Sequence, residues 1–199
     1  MSGKKTEQLI YEVYNHQKLE LVQHMIKSDP ALDSAMIYLQ KTDDVHLLTT
    51  SLSHAGIHVD SIHGKKNPEG RATALAEHIA GRLPYLVVTA ASARNLDITG
   101  VKNIINVDFP ELLSDYETQV LTESTERVYS FAIPTKSGGT KLLKNLEELI
   151  EASFPRATAE GFVYDKHALK ISTRNKQRKS GPRSKPLQNK KPKLKKKGR

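Results

Sequence analysis

Cysteine is absent from the 199 residues of this chain. Its absence excludes a disulfide framework, a cysteine zinc site and a cysteine nucleophile, and it is typical of a reducing compartment. Long apolar runs are absent as well, because none approaches the roughly 20 residues that a membrane-spanning helix needs. The first residues, MSGKKTEQLIYEV, lack the apolar core of a secretory signal. We therefore expect a cytoplasmic protein without a membrane partner.

Acidic residues are missing from the C-terminal part of the chain. Residues 166–199 contain 11 lysines and 4 arginines, a charge of +15. Residues 1–165 hold the other 16 basic residues and all 22 acidic ones, a charge of −6. This asymmetry indicates that the basic segment binds a polyanion.

Residues 170–199 have almost no large apolar side chains and contain three prolines and two glycines. Such a segment buries too little surface to offset its ordering entropy, so we predict a disordered basic tail. Its charge favours RNA or a ribonucleoprotein, without base selectivity because no aromatic residue follows Tyr164. A solubilising tail is the alternative. The candidate RNA-binding lysines of this tail are Lys190, Lys191, Lys195, Lys196 and Lys197.

The rest of the chain alternates short apolar runs with amphipathic segments. The predicted strands cover residues 35–39, 57–62, 85–89, 103–107 and 128–133. The predicted helices follow a cap at Asp43 or Asp44, then cover residues 68–80, 113–121 and 142–152. This alternation predicts an α/β fold, a parallel sheet with helices on both faces. Ligands of such sheets bind beyond the carboxyl ends of the strands, here the turns at 40–43, 63–71 and 89–97.

Four blocks at these turns resemble motifs of one family. They read AMIYLQKT (35–42), SIHGKKNPEGR (61–71), VVTAASARNLDI (87–98) and VKNIINVDFPE (101–111). In this order and spacing they resemble the C-terminal RecA-like domain of DEAD-box ATP-dependent RNA helicases, of the bacterial type with a basic tail. The resemblance covers about residues 8–165.

The resemblance implies a single RecA-like domain over residues 17–155. A lead-in strand and linker at 1–16 would precede this domain, and an extension at 156–169 and the basic tail at 170–199 would follow it. No internal repeat divides the body further.

The resemblance also implies an RNA-binding site. Thr89 matches a threonine that contacts an RNA phosphate in the family, and its alternative role is a helix cap. Gly64 and Arg71 match positions that organise the RNA backbone. Lys65 and Lys66 add positive charge beside them, or form a solvated loop.

A remnant of the nucleotide edge is implied at Arg94 and Asp97. Asp97 matches a family residue that hydrogen-bonds the nucleotide ribose. Arg94 matches a neighbouring family residue at the interface between the two domains. We favour a structural contact between Arg94 and Asp97 over ATP binding.

The departures from the family concern its catalytic parts. The chain contains no GxxxxGK[ST] loop and no DEAD sequence, so the first RecA-like domain is expected to be missing. From Tyr116 the chain reads YETQVLTEST, where the family has YxHRxGRTGR. Arginines of that block stabilise charge on a transferring phosphate. We therefore predict no catalytic residue, no metal site and no independent ATPase activity.

An RNA-binding or ribonucleoprotein-binding module is the function that these features favour. One alternative is an accessory half that completes a helicase with a DEAD-box ATPase domain in trans, the one case in which ATP–Mg²⁺ becomes a cofactor. The others are a non-catalytic protein-interaction module and a decayed gene remnant.

Overall fold

The structure is a computed structural model, and it describes residues 6–120, 124–149 and 151–167. The candidate lysines of the basic tail lie outside the described residues. Two compact units divide the chain, residues 1–168 and residues 169–199. The first unit contains every element described below.

Seven parallel strands form one sheet in the order β3-β4-β2-β5-β6-β1-β7. The strands are β1 (Glu7–Glu12), β2 (Ala35–Leu39), β3 (Val59–Ile62), β4 (Tyr85–Thr89), β5 (Asn103–Asn106), β6 (Arg127–Ala132) and β7 (Arg156–Ala157). The helices are α1 (Lys18–Ser28), α2 (Thr42–His54), α3 (Pro68–Ile79), α4 (Ala90–Ala93), α5 (Leu113–Val120) and α6 (Lys141–Leu149). The predicted α/β class with a parallel sheet is confirmed.

Helices cover both faces of the sheet, as predicted. Every residue of β2 is buried, and its alternate side chains enter two different clusters. Ile37 packs with Leu21 of α1 and Leu48 of α2. Met36 packs on the opposite face with Ala74 of α3. Burial on both faces explains why β2 is a continuous apolar run and does not alternate with polar residues.

The start of α2 differs from the prediction. The helix begins at Thr42, its N-cap is Lys41, and no side chain caps it. The expectation that Asp43 or Asp44 caps this helix is therefore wrong. Both carboxylates lie in the first turn, where they interact favourably with the helix dipole without closing the end.

The chain after α6 returns across the sheet edge and α1 as a C-terminal strap, residues 156–167. Its first residues form β7 beside β1, with Ile10 opposite Arg156. The side-chain amide of the buried Gln17 then donates to the carbonyl of Val163 at 2.9 Å and accepts from the amide of Asp165 at 2.8 Å. The Gln17 side chain thus bonds one carbonyl and one amide of the strap backbone, the two groups that a neighbouring β-strand would bond.

Aromatic and polar contacts complete the hold on the C-terminal strap. Phe162 packs against His24 of α1 with ring centroids 5.4 Å apart. His16 lies 2.6 Å from the carboxylate of Asp165. The hydroxyl of Tyr14 donates to the carbonyl of Lys166 at 3.3 Å. The strap is therefore a packed part of the domain. Among the described helices, none is long and apolar enough to cross a membrane.

Candidate nucleic-acid interface

Three of the predicted site turns meet at the carboxyl edge of the sheet. Strand β4 lies between β3 and β2, with Ile62 opposite Val88 and Leu39 opposite Thr89. Because all three strands are parallel, the residues that follow them emerge side by side. The turns at 63–71, 89–97 and 40–43 therefore follow neighbouring strands at one edge of the sheet.

The turn after β3 presents a glycine and a lysine at its tip. The amide of Lys66 donates to the carbonyl of His63 at 3.0 Å, which leaves Gly64 and Lys65 at the two central positions. A Cβ added at Gly64 would meet no atom within 4 Å. The protein itself therefore leaves space above Gly64, where another backbone can approach closely.

Lys66 is occupied within the protein. Its ammonium lies 2.7 Å from each carboxylate oxygen of Asp60 and 2.9 Å from the carbonyl of Ser61. These three acceptors match the three protons of an ammonium group. Lys66 was predicted together with Lys65 as an RNA-binding residue, and here it fastens the turn to β3.

Arg71 lies in the first turn of α3, the helix that follows this turn in the chain. The helix begins with Pro68, and the side chain of Asn67 caps it by accepting from the amide of Gly70 at 2.7 Å. Among the residues that the structure describes, neither the guanidinium of Arg71 nor the ammonium of Lys65 has a hydrogen-bond partner. Two cations are therefore available on this side of the edge.

Thr89 ends β4 and is the N-cap of the four-residue helix α4. Its hydroxyl donates to the hydroxyl of Ser92 at 2.8 Å and accepts from the amide of Ser92 at 3.4 Å. The residue is only 4% exposed. The alternative reading of Thr89 as a helix cap is thus present in the geometry.

His63 is the buried first residue of this turn, and its carbonyl accepts from the amide of Lys66. Its ring is 8% exposed and meets the ring of His46 at a centroid distance of 4.5 Å. Burial, followed by the nearby His46 and Lys66, lowers the pKa of His63. Within the described ranges its Nδ1 has no hydrogen-bond partner, and no group of three metal-ligating side chains occurs.

The nucleotide-edge pair is not formed as predicted. Arg94 bonds Asp115 of α5 through two contacts of 2.9 Å, Nε to Oδ1 and Nη2 to Oδ2. Asp97 instead accepts from the amide of Thr99 at 3.0 Å. Hydrogen bonding with the side chain of Thr99, followed by that with its amide, lowers the pKa of the Asp97 carboxyl. The expected Arg94–Asp97 contact is therefore wrong, because α5 brings a better-placed carboxylate from 21 residues away.

The altered block that starts at Tyr116 is used for packing where the structure describes it. Tyr116 is buried, stacks on Phe109 with centroids 5.9 Å apart, and donates a hydrogen bond to Gln8. The hydroxyl of Ser124 accepts from the amide of Gly100 at 2.8 Å. Residues 121–123 lie outside the described residues.

A groove of about 780 Å³ continues the same edge over the ends of β2, β5 and β6. Leu39, Val107 and Phe131 line its apolar floor. An ion pair lies across it, because Lys18 donates to Asp108 at 3.0 Å. Asp108 also accepts from the amide of Gln40 at 3.0 Å, and so joins the ends of β5 and β2.

Sequence reasoning missed this groove. Its walls combine the starts of α1 and α6 with the turns after β2 and β5. The block at 101–111 contained Asp108, which was the available signal, but its pairing with Lys18 depends on the tertiary fold.

Comparisons with known proteins agree with this architecture. The family model described as the helicase conserved C-terminal domain matches residues 17–127, more than half of the chain. The pre-mRNA-processing ATP-dependent RNA helicase prp5 of Aspergillus terreus is 29% identical over 182 residues, which is 77% of this chain and 15% of that protein. The DEAD-box ATP-dependent RNA helicase 30 of Oryza sativa is 32% identical over 110 residues, 55% of this chain and 16% of that protein. The chain thus spans about a sixth of these relatives.

Solved structures show the same fold at low identity. E. coli DEAD-box protein SrmB, bound to regulator of ribonuclease activity A (RraA), has a TM-score of 0.68 and 22% identity, over 84% of this chain and 98% of that one. The C-terminal domain of S. cerevisiae Dbp5, bound to Gle1 and IP6, has a TM-score of 0.64 and 19% identity, over 78% of this chain and 91% of that one. The chain therefore belongs to the helicase conserved C-terminal domain family, and it has the RecA-like fold of the C-terminal domains of DEAD-box proteins.

Proposed function

We propose that this chain is a cytoplasmic RNA-binding module, which holds single-stranded RNA or a ribonucleoprotein without hydrolysing ATP on its own. One observation carries the proposal: Lys65, beside the open space above Gly64, and Arg71, at the start of the following helix α3, are two cations without a described protein partner. The sequence relatives are named RNA helicases, and S. cerevisiae Dbp5, a fold relative at TM-score 0.65, has a structure with RNA.

The folded edge would recognise the sugar–phosphate backbone. Lys65 and Arg71 supply the charge for phosphates, and Gly64 allows the strand to approach the backbone of the turn. Lys66 and Thr89 act on this contact indirectly, because their polar groups are bonded within the protein. Phosphate contacts of this kind position a strand without reading its sequence.

The basic tail would supply most of the affinity. Lys190, Lys191 and the cluster 195–197 belong to a segment with no acidic residue after Asp165. Neutralised phosphates release counterions, so the affinity of such a segment falls steeply with salt. The support for this part of the proposal is the sequence alone.

The lack of independent ATP turnover is proposed on two grounds. The chain contains no phosphate-binding loop, and its block after Tyr116 lacks the family's arginines. The one arginine of the nucleotide edge, Arg94, is bonded to Asp115. ATP–Mg²⁺ enters the proposed function only together with a DEAD-box ATPase domain, whose motifs residues 1–199 do not contain.

A salt series tests the proposal. Binding of the full chain to a fluorescent single-stranded RNA is measured by anisotropy from low to high salt, with and without saturating ATP–Mg²⁺. We expect steep salt dependence and no effect of ATP. Absence of binding at low salt would contradict the RNA-binding proposal, and a clear ATP effect would favour the accessory helicase half.

A protein-interaction role is the second candidate, and exposed leucines favour it. Leu112 is 52% and Leu113 41% exposed at the start of α5, beside the Arg94–Asp115 pair. The fold relatives SrmB and Dbp5 have structures with the proteins RraA and Gle1, respectively. A partner that is captured after nuclease treatment by the wild type, and is lost with Leu112→Ser, would support this role.

A further inference from the structure

The groove lies between β2 and β5, where the order of the strands in the sheet reverses. After β2 the chain passes through α2 to β3 on one side, and after β5 it passes through α5 to β6 on the other. Neighbouring parallel strands whose connections leave in opposite directions open a crevice beyond their carboxyl ends, and ligands of α/β sheets bind in such crevices. Gln40 and Asp108 mark the two strand ends at this crevice.

The charges of the groove lining do not favour a phosphate as its main ligand. Its lining contains three basic residues, Lys18, Lys41 and Lys141, and three acidic ones, Asp44, Asp108 and Glu111. The charges balance, and the floor of Leu39, Val107 and Phe131 is apolar. A flat, neutral group with an apolar face and polar edges matches these walls better than an anion does.

Three amides provide the polar contacts. The side chains of Asn15, Gln40 and Asn145 line the groove, are exposed, and have no hydrogen-bond partner among the described residues. Asparagine and glutamine amides pair in a bidentate manner with the N6 and N7 edge of adenine. Unstacked bases of single-stranded RNA are recognised by such edge contacts.

The position of the groove connects it to the proposed phosphate contacts. Leu39 is opposite Thr89 in the paired strands, so Gln40 follows β2 directly beside the start of α4. Strand spacing of about 4.8 Å puts the groove roughly one to three strands from the end of β4. An RNA strand that binds at Gly64 and Lys65 and continues along this edge of the sheet reaches the groove within a few nucleotides.

We infer that this groove is a base-binding subsite, which takes an unstacked nucleobase of the bound RNA, with adenine preferred. The inference depends on the proposed RNA-binding function and deepens it, because the phosphate contacts alone provide no sequence preference. Gln40 and Asn145 are the specificity-determining residues, and the apolar floor receives the face of the base.

The test compares two ligands of equal charge on the full chain. An eight-nucleotide oligoadenylate and an abasic strand of the same length are titrated at one salt concentration. Because the basic tail contacts phosphates, its contribution cancels in the ratio of the two affinities. We expect oligoadenylate to bind about tenfold more tightly than an octauridylate titrated in the same way, because one good bidentate base contact discriminates against a wrong base by about this factor. It should exceed the abasic strand by at least as much.

Variants locate the effect. Gln40→Ala and Asn145→Ala should each lower the ratio, the double variant should lower it further, and all three should leave the affinity for the abasic strand unchanged. Thr50→Ala, which removes an exposed polar side chain of α2 outside the groove, is the control and should keep the wild-type ratio. Equal binding of both strands by the wild type would overturn the subsite while the RNA-binding function stands. Failure of both strands to bind at low salt would overturn the function as well.

Discussion

The guanidinium of Arg94 and the carboxylate of Asp115 form a two-bond ion pair that joins the turn after β4 to α5. The carboxylate is 12% exposed and the arginine 53%. The family resemblance associates Arg94 with a domain interface next to nucleotide. In this chain the pair fixes one element of the domain against another, and it removes Arg94 from the cations available to a ligand.

Loss of this pair should therefore be a stability effect. Arg94→Gln and Asp115→Asn should each lower the urea midpoint, and the double variant should lower it by less than the two single changes together. Additive effects would show that the two side chains do not act as a pair. The RNA affinity of Arg94→Gln should stay close to that of the wild type.

Lys65 and Lys66 should differ in their effect on RNA binding. Lys65→Gln should reduce the slope of log affinity against log salt by about 0.7, the value for one phosphate contact on a single strand. Lys66→Met should leave the slope unchanged, because its ammonium is bonded to Asp60 and Ser61. It should instead lower the free energy of unfolding by about 1 kcal/mol. A slope change for Lys66→Met would show that its ammonium contacts RNA.

Removal of residues 170–199 should abolish most of the RNA affinity and flatten its salt dependence. The full chain and the shortened chain are compared by anisotropy on the same strand. Arg71→Ala in the full chain should cost about 1 kcal/mol or less, because the tail dominates binding. Undiminished binding by the shortened chain would contradict the role assigned to the tail.

Stability should fall in mildly acidic solution because of a buried histidine. His78 is 7% exposed, and its Nδ1 donates to the carbonyl of Leu83 at 2.8 Å. Burial lowers the pKa of His78, so the unfolded chain takes up a proton near pH 6.5 where the folded one does not. The free energy of unfolding should therefore decrease from pH 7 to pH 5.

Urea titrations across that pH range test this dependence. His78→Gln should reduce the slope, while His63, whose pKa is also lowered, maintains part of it. His54→Gln, at the exposed end of α2, is the control and should keep the wild-type slope. A stability that rises on acidification would contradict the assignment.

Gln17 should hold the C-terminal strap. Gln17→Ala removes the two hydrogen bonds to Val163 and Asp165 and should cost about 1 to 2 kcal/mol. Hydrogen exchange at the amide of Asp165 should become faster, while exchange in β2 changes only with global stability. Unchanged protection at Asp165 would show that other contacts fix the strap.

The strands were predictable where they are apolar throughout. Residues 35–39 and 85–89 agree to the residue with β2 and β4, because strands buried on both faces read as continuous apolar runs. The strand predicted from Ile57 begins instead at Val59. The apolar runs also predicted the positions of the turns that follow them. Because these turns follow parallel strands, the motifs that resemble the family lie at one edge of the sheet.

Partners of charged side chains were not predictable. Arg94 was paired with its sequence neighbour Asp97, and its partner came from α5. Lys66 was grouped with Lys65, although the turn places the two ammonium groups in different surroundings. The groove depends on where the starts of α1 and α6 lie against the sheet, and no periodicity or spacing in a single sequence predicts that arrangement.

The pairing of β1 has a consequence for how the protein is made. Glu7–Glu12 has β6 as one neighbour and β7 as the other, and both lie more than a hundred residues further along the chain. Contacts between such distant segments form slowly and only after both have been synthesised. A nascent chain on the ribosome must therefore keep β1 unpaired until nearly the whole domain has emerged.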